Sequence, residues 1–176
     1  SPLVAPTSTD VRVDELWVDY ADIYLTFGKR IAPNESYWLT DDHIERQEPM
    51  FEVRDWYAHY ALQAPDWRKR PDDHLVHELQ FVASLLKTGE GHAVRDAGRF
   101  MDQHLLRWSK DFLGGAATRA NTAFYAGLAL ATEAILLSLR ALVEGISGEP
   151  RQEIGLAIPA AADAERPFIP GVEPSW

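Results

Sequence analysis

The sequence predicts an all-α protein, a bundle of about five to seven helices with extended arms at both ends. Two observations predict it. Apolar residues recur at helical spacing in five stretches, and no segment alternates apolar and polar residues with the period of two that a half-buried strand needs. There is no internal repeat and no glycine-rich phosphate loop. The expected organisation is an N-terminal arm at 1–13, a helical domain at 14–146 and a proline-rich tail at 147–176.

Ser1 to Thr9, rich in Pro, Ser and Thr, reads as a loose arm. Asp14 to Phe27 places Leu16, Tyr20, Ile23, Tyr24 and Phe27 at helical intervals, with Gly28 as a C-terminal stop. Ile31 to Thr40 holds Pro33 and Asn34 and reads as a loop, although Tyr37 and Trp38 give it much aromatic surface. Met50 to Tyr60 repeats as a helix, and Gln63 to Pro71, with two prolines, reads as a connector. The next helix is expected to start at Asp72 or Asp73, whose carboxylate would cap it. It puts Leu75, Leu79, Val82 and Leu86 on one face and ends at Gly89-Glu90-Gly91. His92 to Phe112 follows, with Phe100, His104, Leu105 and Trp108 as a core stripe and Gly114-Gly115 as its break. The last helix, capped by Thr118 or Asn121, runs to Ile146. It is apolar nearly all round, so it is expected at the centre of the bundle.

Composition narrows the function. A chain of 176 residues can bury a substantial core as one domain, and 46% hydrophobic with 25% charged residues is ordinary for a globular protein. The absence of cysteine removes disulfides, thiolate metal sites and cysteine nucleophiles, and fits a reducing cytoplasm. A net charge of −10 repels phosphate backbones and anionic lipid, so nucleic acid is excluded as a partner and a basic peptide is favoured. No stable membrane insertion is expected: Ala123 to Leu142 comes nearest to a membrane span, but Glu133 and Arg140 interrupt it.

The segment Arg70-Pro71-Asp72-Asp73-His74-Leu75-Val76-His77-Glu78-Leu79-Gln80-Phe81 carries the most chemistry. By itself it admits three readings. Asp73 beside His74 suggests a carboxylate orienting an imidazole, but adjacent helical residues do not face each other and no nucleophile motif accompanies them. His74, His77 and Glu78 could ligate a metal for a hydrolase. Their His-x-x-His-Glu order, however, is neither the zinc-protease order nor its inverse. The third reading is a capped helix start. A non-catalytic oligomeric subunit, held together through the long apolar helix, also fits the chain.

Three further motifs accompany this segment. They are Pro33-Asn34-Glu35-Ser36-Tyr37-Trp38 after the aromatic helix that holds Trp17, Val53-Arg54-Asp55-Trp56-Tyr57, and the spaced set Phe100, His104, Leu105 and Trp108. In this order, over roughly Asp14 to Ile146, the chain resembles the TorD/DmsD/NarJ family of redox-enzyme maturation chaperones. Pro71 to Phe81 matches that family's Pro-x-Asp-His-Leu-x-x-Glu-Leu-x-Phe at every marked position. The resemblance implies an all-helical, cytoplasmic, non-enzymatic chaperone without a cofactor of its own. Its partner would be a molybdopterin oxidoreductase catalytic subunit and that subunit's twin-arginine signal peptide, and a homodimer is allowed. Asp73 and His74 would be the central peptide-binding residues, Asp73 pairing with an arginine or a backbone amide. Pro71, Leu75, Glu35, Ser36, Tyr37, Trp38 and Trp17 would support them, while His77 becomes an ordinary helix-surface residue. The family carries additional helices ahead of the position of Leu16.

Overall fold

The computed structural model describes residues 13–26 and 31–154. Helix α1 (Val13–Tyr20) widens into a π-helical turn at Ala21–Leu25; the expected stop at Gly28 lies outside the described residues. Then come α2 (Glu35–Leu39), α3 (Glu48–His59) and α4 (Leu75–Thr88). Helices α5 (Gly91–Phe100) and α6 (Leu106–Arg119) form one continuous rod through a second π-helical turn at Met101–Leu105, and α7 (Ala123–Ser147) closes the bundle. No strand occurs among the described residues, and the only β contact among them is a single antiparallel bridge between Asn34 and His74. The all-α prediction holds.

The core is aromatic and spans four elements. Phe81 of α4 lies 4.7 Å from Phe100 of α5 and 4.9 Å from Tyr57 of α3, measured between ring centres. Edge-on and tilted pairs of this kind add to the area that the rings bury. Phe100, Leu105 and Trp108 are fully buried and His104 nearly so, as the stripe suggested. The π turn widens the rod where Asp102, His104 and Leu105 all face inward. Such single-turn widenings frequently mark functional sites.

Several expected boundaries move. Residues 31–40 are not all loop, because α2 forms inside them, stabilised at its start by a carboxylate from elsewhere in the chain. Helix α4 is not capped by an aspartate. Its N-cap is His74, whose Nδ1 accepts from the Val76 amide at 3.1 Å. Gly89 ends it in the left-handed region at φ 71°, as anticipated. Gly114 and Gly115 do not break the rod, which continues to Arg119 because packing outweighs a helix-propensity cost of about 1 kcal/mol per glycine. A Cβ on Gly115 would sit 3.4 Å from Ile31 Cδ1, so the small residue serves close approach. Thr122, rather than Thr118 or Asn121, caps α7.

The largest departure concerns α7, which is peripheral rather than central. Ala129, Leu136, Arg140 and Val143 face the bundle, whereas Leu128, Ile135 and Leu142 are 51%, 64% and 60% exposed. By length and composition the helix could cross a membrane, which the charged residues in its sequence had argued against. Arg140 is buried on the inner face, bonded through two nitrogens to Asp102 at 2.8 and 2.7 Å.

Candidate functional site

The four sequence motifs meet in one buried polar cluster. The strand-like segment before α2 lies antiparallel to the segment before α4: the Glu35 amide donates to the Asp73 carbonyl and the Leu75 amide to the Pro33 carbonyl, both at 3.0 Å. Asp73 therefore sits at the N-terminus of α2. Its Oδ2 accepts from the Ser36 amide at 2.7 Å and from the Ser36 hydroxyl. A carboxylate there satisfies an orphan amide and meets the positive end of the helix dipole. Asp73 is thus a cap, but of α2 rather than of α4.

The third motif holds the neighbouring aspartate. Arg54 donates to the Asp72 carboxylate at 2.7 Å, and the Tyr57 hydroxyl donates to the Asp72 carbonyl at 3.0 Å. The fourth motif closes the cluster from α5 and α6. His104 Nδ1 lies 3.1 Å from both Glu35 carboxyl oxygens, and the Trp108 indole N–H donates to Glu78 Oε2 at 3.2 Å. Asp73 and Glu78 are thus bonded to residues of other motifs, whereas the His74 and His77 side chains bond within their own segment.

Burial sets the electrostatics. Glu35 and Glu78 are held well above the ordinary carboxylate range, in both cases first by burial, and then by Asp73 for Glu35 and by Glu35 and Asp73 for Glu78. Burial also raises Asp73, against the opposing Ser36 hydrogen bonds. Burial drives His104 down to about 4, so at neutral pH the Glu35–His104 contact is a hydrogen bond rather than an ion pair. His74 is likewise lowered to about 4, by burial and then by Arg70 and His77. Glu78 Oε1, Asp73 Oδ1, Asn34 Nδ2 and His77 Nε2 are buried without a hydrogen-bond partner.

Two recesses flank this cluster. One is an apolar groove of about 360 Å³. Pro33, His74, Leu75 and Val76 form one wall, and Tyr20, Tyr24 and Leu25, together with Phe112, Tyr125 and Leu128, form the other. The second is a wider cleft of about 760 Å³. Glu52, Asp55, Trp56 and His59 of α3 face Asp96, Gln103, His104 and Arg107 across it.

The expected site residues divide between these places. His74 and Leu75 line the apolar groove. Pro71, Asp73, Glu35 and Ser36 are buried beneath it. Trp38 is half-buried against Phe112, and Tyr37 packs on Trp38 and His43. Trp17 is 69% exposed on α1, edge-on to Tyr20. His77 is not a surface residue; it is buried beside Gln80. The metal alternative loses its geometry, because Glu78 turns into the core while His74 caps α4. Among the described residues no group of three or more His, Asp or Glu side chains is placed to hold a metal ion. The acidic cleft was missed, although Glu52, Asp55, Trp56 and His59 carry the i, i+3, i+4, i+7 spacing of a single helical face.

Comparison with known proteins gives a consistent result. The family described as nitrate reductase delta subunit matches residues 4–114. The chain is 28% identical over 120 residues to a chaperone protein TorD of Vibrio vulnificus, covering 63% of this chain and 56% of that protein. It is 25% identical over 144 residues to a chaperone protein TorD of Aliivibrio fischeri, covering 77% and 66%. The chain therefore spans between half and two thirds of the length of these relatives. No solved structure matches it.

Proposed function

This chain belongs to the nitrate reductase delta subunit family, and from that membership we propose that it is a non-enzymatic, cytoplasmic chaperone of redox-enzyme maturation. Its client would be the catalytic subunit of a molybdopterin oxidoreductase, held through its leader peptide or in its apo form during cofactor insertion, assembly and export. The observation that carries this reading is the position of the apolar groove. Its wall is the start of α4, where His74 and Leu75 emerge directly from the cluster that joins all four motifs.

In this reading the apolar stretch of the leader lies in the groove against Leu75, His74, Tyr24 and, at its outer end, Trp17. Apolar grooves rimmed by aromatic anchors bind such segments well. Pro71, Asp73, Glu35 and Ser36 set the angle between α2 and α4 and so the shape of the wall. Trp38 and Tyr37 brace the side near Phe112. The arginine pair goes to the second recess, where Glu52 and Asp55 supply carboxylates and Trp56 a ring face.

The test is calorimetric titration of the purified chain with a twin-arginine leader peptide of a molybdopterin oxidoreductase subunit. Leu75→Ala and His74→Ala should each weaken binding about tenfold, equivalent to about 1.4 kcal/mol, in molecules that stay folded although trimming Leu75 or removing the α4 cap lowers their melting temperature. The double variant Glu52→Gln/Asp55→Asn should weaken it as much and reduce its salt dependence. Absence of binding to leader and apo-subunit alike would overturn the function. Undiminished binding by all of these variants would overturn only the assignment of the site.

A further inference from the structure

A fixed path delivers the chain beyond α7 to the acidic cleft. Gly148 ends α7 in the left-handed region at φ 73°. The Glu149 carboxylate accepts two hydrogen bonds from Arg99, at 3.1 and 2.8 Å, and its carbonyl faces the Arg140 guanidinium. The Arg151 amide donates to Glu144 at 3.2 Å, and the Gln152 amide to Asp102 Oδ2 at 2.9 Å. Asp102 is buried in the second π-helical turn, so this last bond ties the segment to the α5–α6 rod beside Gln103, which lines the cleft. Two residues further on, Ile154 forms part of the cleft wall. Residues 155–176 lie outside the described residues and continue from that wall.

The two walls of the cleft offer unlike charges. On α3, Glu52 and Asp55 are exposed, and no hydrogen bond or ion pair holds either carboxylate among the described residues. Trp56 stands beside them, partly exposed. On the opposite wall, Arg107 donates from Nη1 to the Gln103 carbonyl at 3.3 Å, leaves Nε without a partner and forms no ion pair among the described residues.

We infer that residues 165–168 of the same chain dock in this cleft, with Arg166 on Glu52 and Asp55, Phe168 against Trp56, and Glu165 on Arg107. Arg166 is the one cation among residues 155–176, against Asp163, Glu165 and Glu173, so the match lies in the order of the residues rather than in net charge. A residue before proline favours extended backbone, and Arg166 precedes Pro167. Successive side chains of an extended segment point to opposite sides. Arg166 and Phe168 therefore turn to one wall and Glu165 to the other, which complements carboxylates and a ring facing a guanidinium. Arginine against an indole face adds to the ion pairs. Arg166 stands twelve residues beyond Ile154, about 20 Å of root-mean-square reach for a flexible chain. A tether of this length holds the segment at about millimolar effective concentration, so a contact with a dissociation constant of about 1 mM is occupied about half the time. A cation followed by apolar residues is also the chemistry of the leader, and the segment would compete with the leader's arginine pair. That consequence rests on the proposed function, whereas the docking does not.

The chain has no cysteine, so a nitroxide on Ala162→Cys reports where this segment lies in the full chain. The nuclear magnetic resonance signal of the Trp56 indole N–H should broaden, while that of Trp17, on α1 outside the cleft, should not. Arg166→Glu should restore the Trp56 signal. In calorimetry with the twin-arginine leader peptide, the same substitution should strengthen binding about twofold to fivefold. A Trp56 signal unchanged by the nitroxide would overturn the docking. So would broadening that survives Arg166→Glu. Broadening that vanishes when the labelled chain is mixed with excess unlabelled chain would also overturn it, because the segment would then sit on a second copy. Broadening with unchanged leader affinity would overturn the competition. A leader that binds neither chain would overturn the proposed function and leave the docking to be decided by the nitroxide.

Discussion

Glu78 concentrates the electrostatic cost of the cluster. It is fully buried, accepts one hydrogen bond from Trp108, and leaves Oε1 unpartnered. Its carboxyl is held above the ordinary range by burial and then by Glu35 and Asp73, so the native state retains a proton that the unfolded chain releases. Its stabilising share is complete below the unfolded value of 4.5 and is lost as pH rises through the folded one. Glu78→Gln keeps the acceptor for Trp108 and removes the charge. Its melting temperature should exceed that of the parent by a margin that grows from about pH 5 to about pH 8; a constant or shrinking margin would refute the account. His104 acts in the opposite direction. Held at about 4 by burial, it favours the native state above the unfolded value of 6.5 and withdraws that support as pH falls toward 4. His104→Gln should flatten the acid limb of the stability profile between those values. Ser36→Ala removes a donor from the buried Asp73 carboxylate and should cost about 1–3 kcal/mol in chemical denaturation. Sequence identified Asp73 as a cap but assigned it to the wrong helix. Cap chemistry is local, whereas the amide that Asp73 satisfies lies 37 residues away.

At the scale of elements, two glycines in the α5–α6 rod should respond with opposite signs. Gly98 faces α7, where an added Cβ would come 3.1 Å from Val143 Cγ1 and 3.7 Å from Arg140 Cζ. Neither neighbour can yield: Val143 is buried, and Arg140 is held by Asp102. Gly98→Ala should therefore destabilise, with an overpacking cost of about 1–3 kcal/mol exceeding its gain in helix propensity. Gly114 has open space at its Cβ, so Gly114→Ala should stabilise by up to about 1 kcal/mol. Thermal melts of the two variants decide this, and shifts of the same sign would contradict the packing described. The glycine pair was read as a helix break because propensity is a weak prior that tertiary contact overrides. The same limit hid α2, whose five residues are too few to show a period and depend on Asp73 for their first turn. The long, strongly periodic helices were legible because each buries its own stripe.

At the scale of the whole molecule, periodicity gave the helices but could not say which apolar faces stay outside. Helix α7 looked central because it is apolar all round, yet a helix can be apolar all round when one side faces the core and the other remains open. The polar cluster was legible as four separate motifs, while their convergence depends on pairings such as Glu35 with His104 across 69 residues. Net charge was fully legible, and it supports a prediction that follows from the proposed function. A chain of charge −10 attracts a leader whose only strong charges are two arginines, and the attraction acts mainly on the encounter. The association rate should therefore fall severalfold between about 0.05 M and 0.5 M salt, as the screening length shrinks from about 14 Å to about 4 Å. The dissociation rate should change much less, because the apolar contacts in the groove are insensitive to screening. Replacing both leader arginines with glutamine should abolish the salt dependence of association. It should also raise the dissociation rate by the share that Glu52 and Asp55 contribute in the acidic cleft. Stopped-flow binding of a fluorescent leader measures both rates. An association rate indifferent to salt would refute electrostatic steering, and a glutamine leader that dissociates no faster would remove the cleft from the binding path.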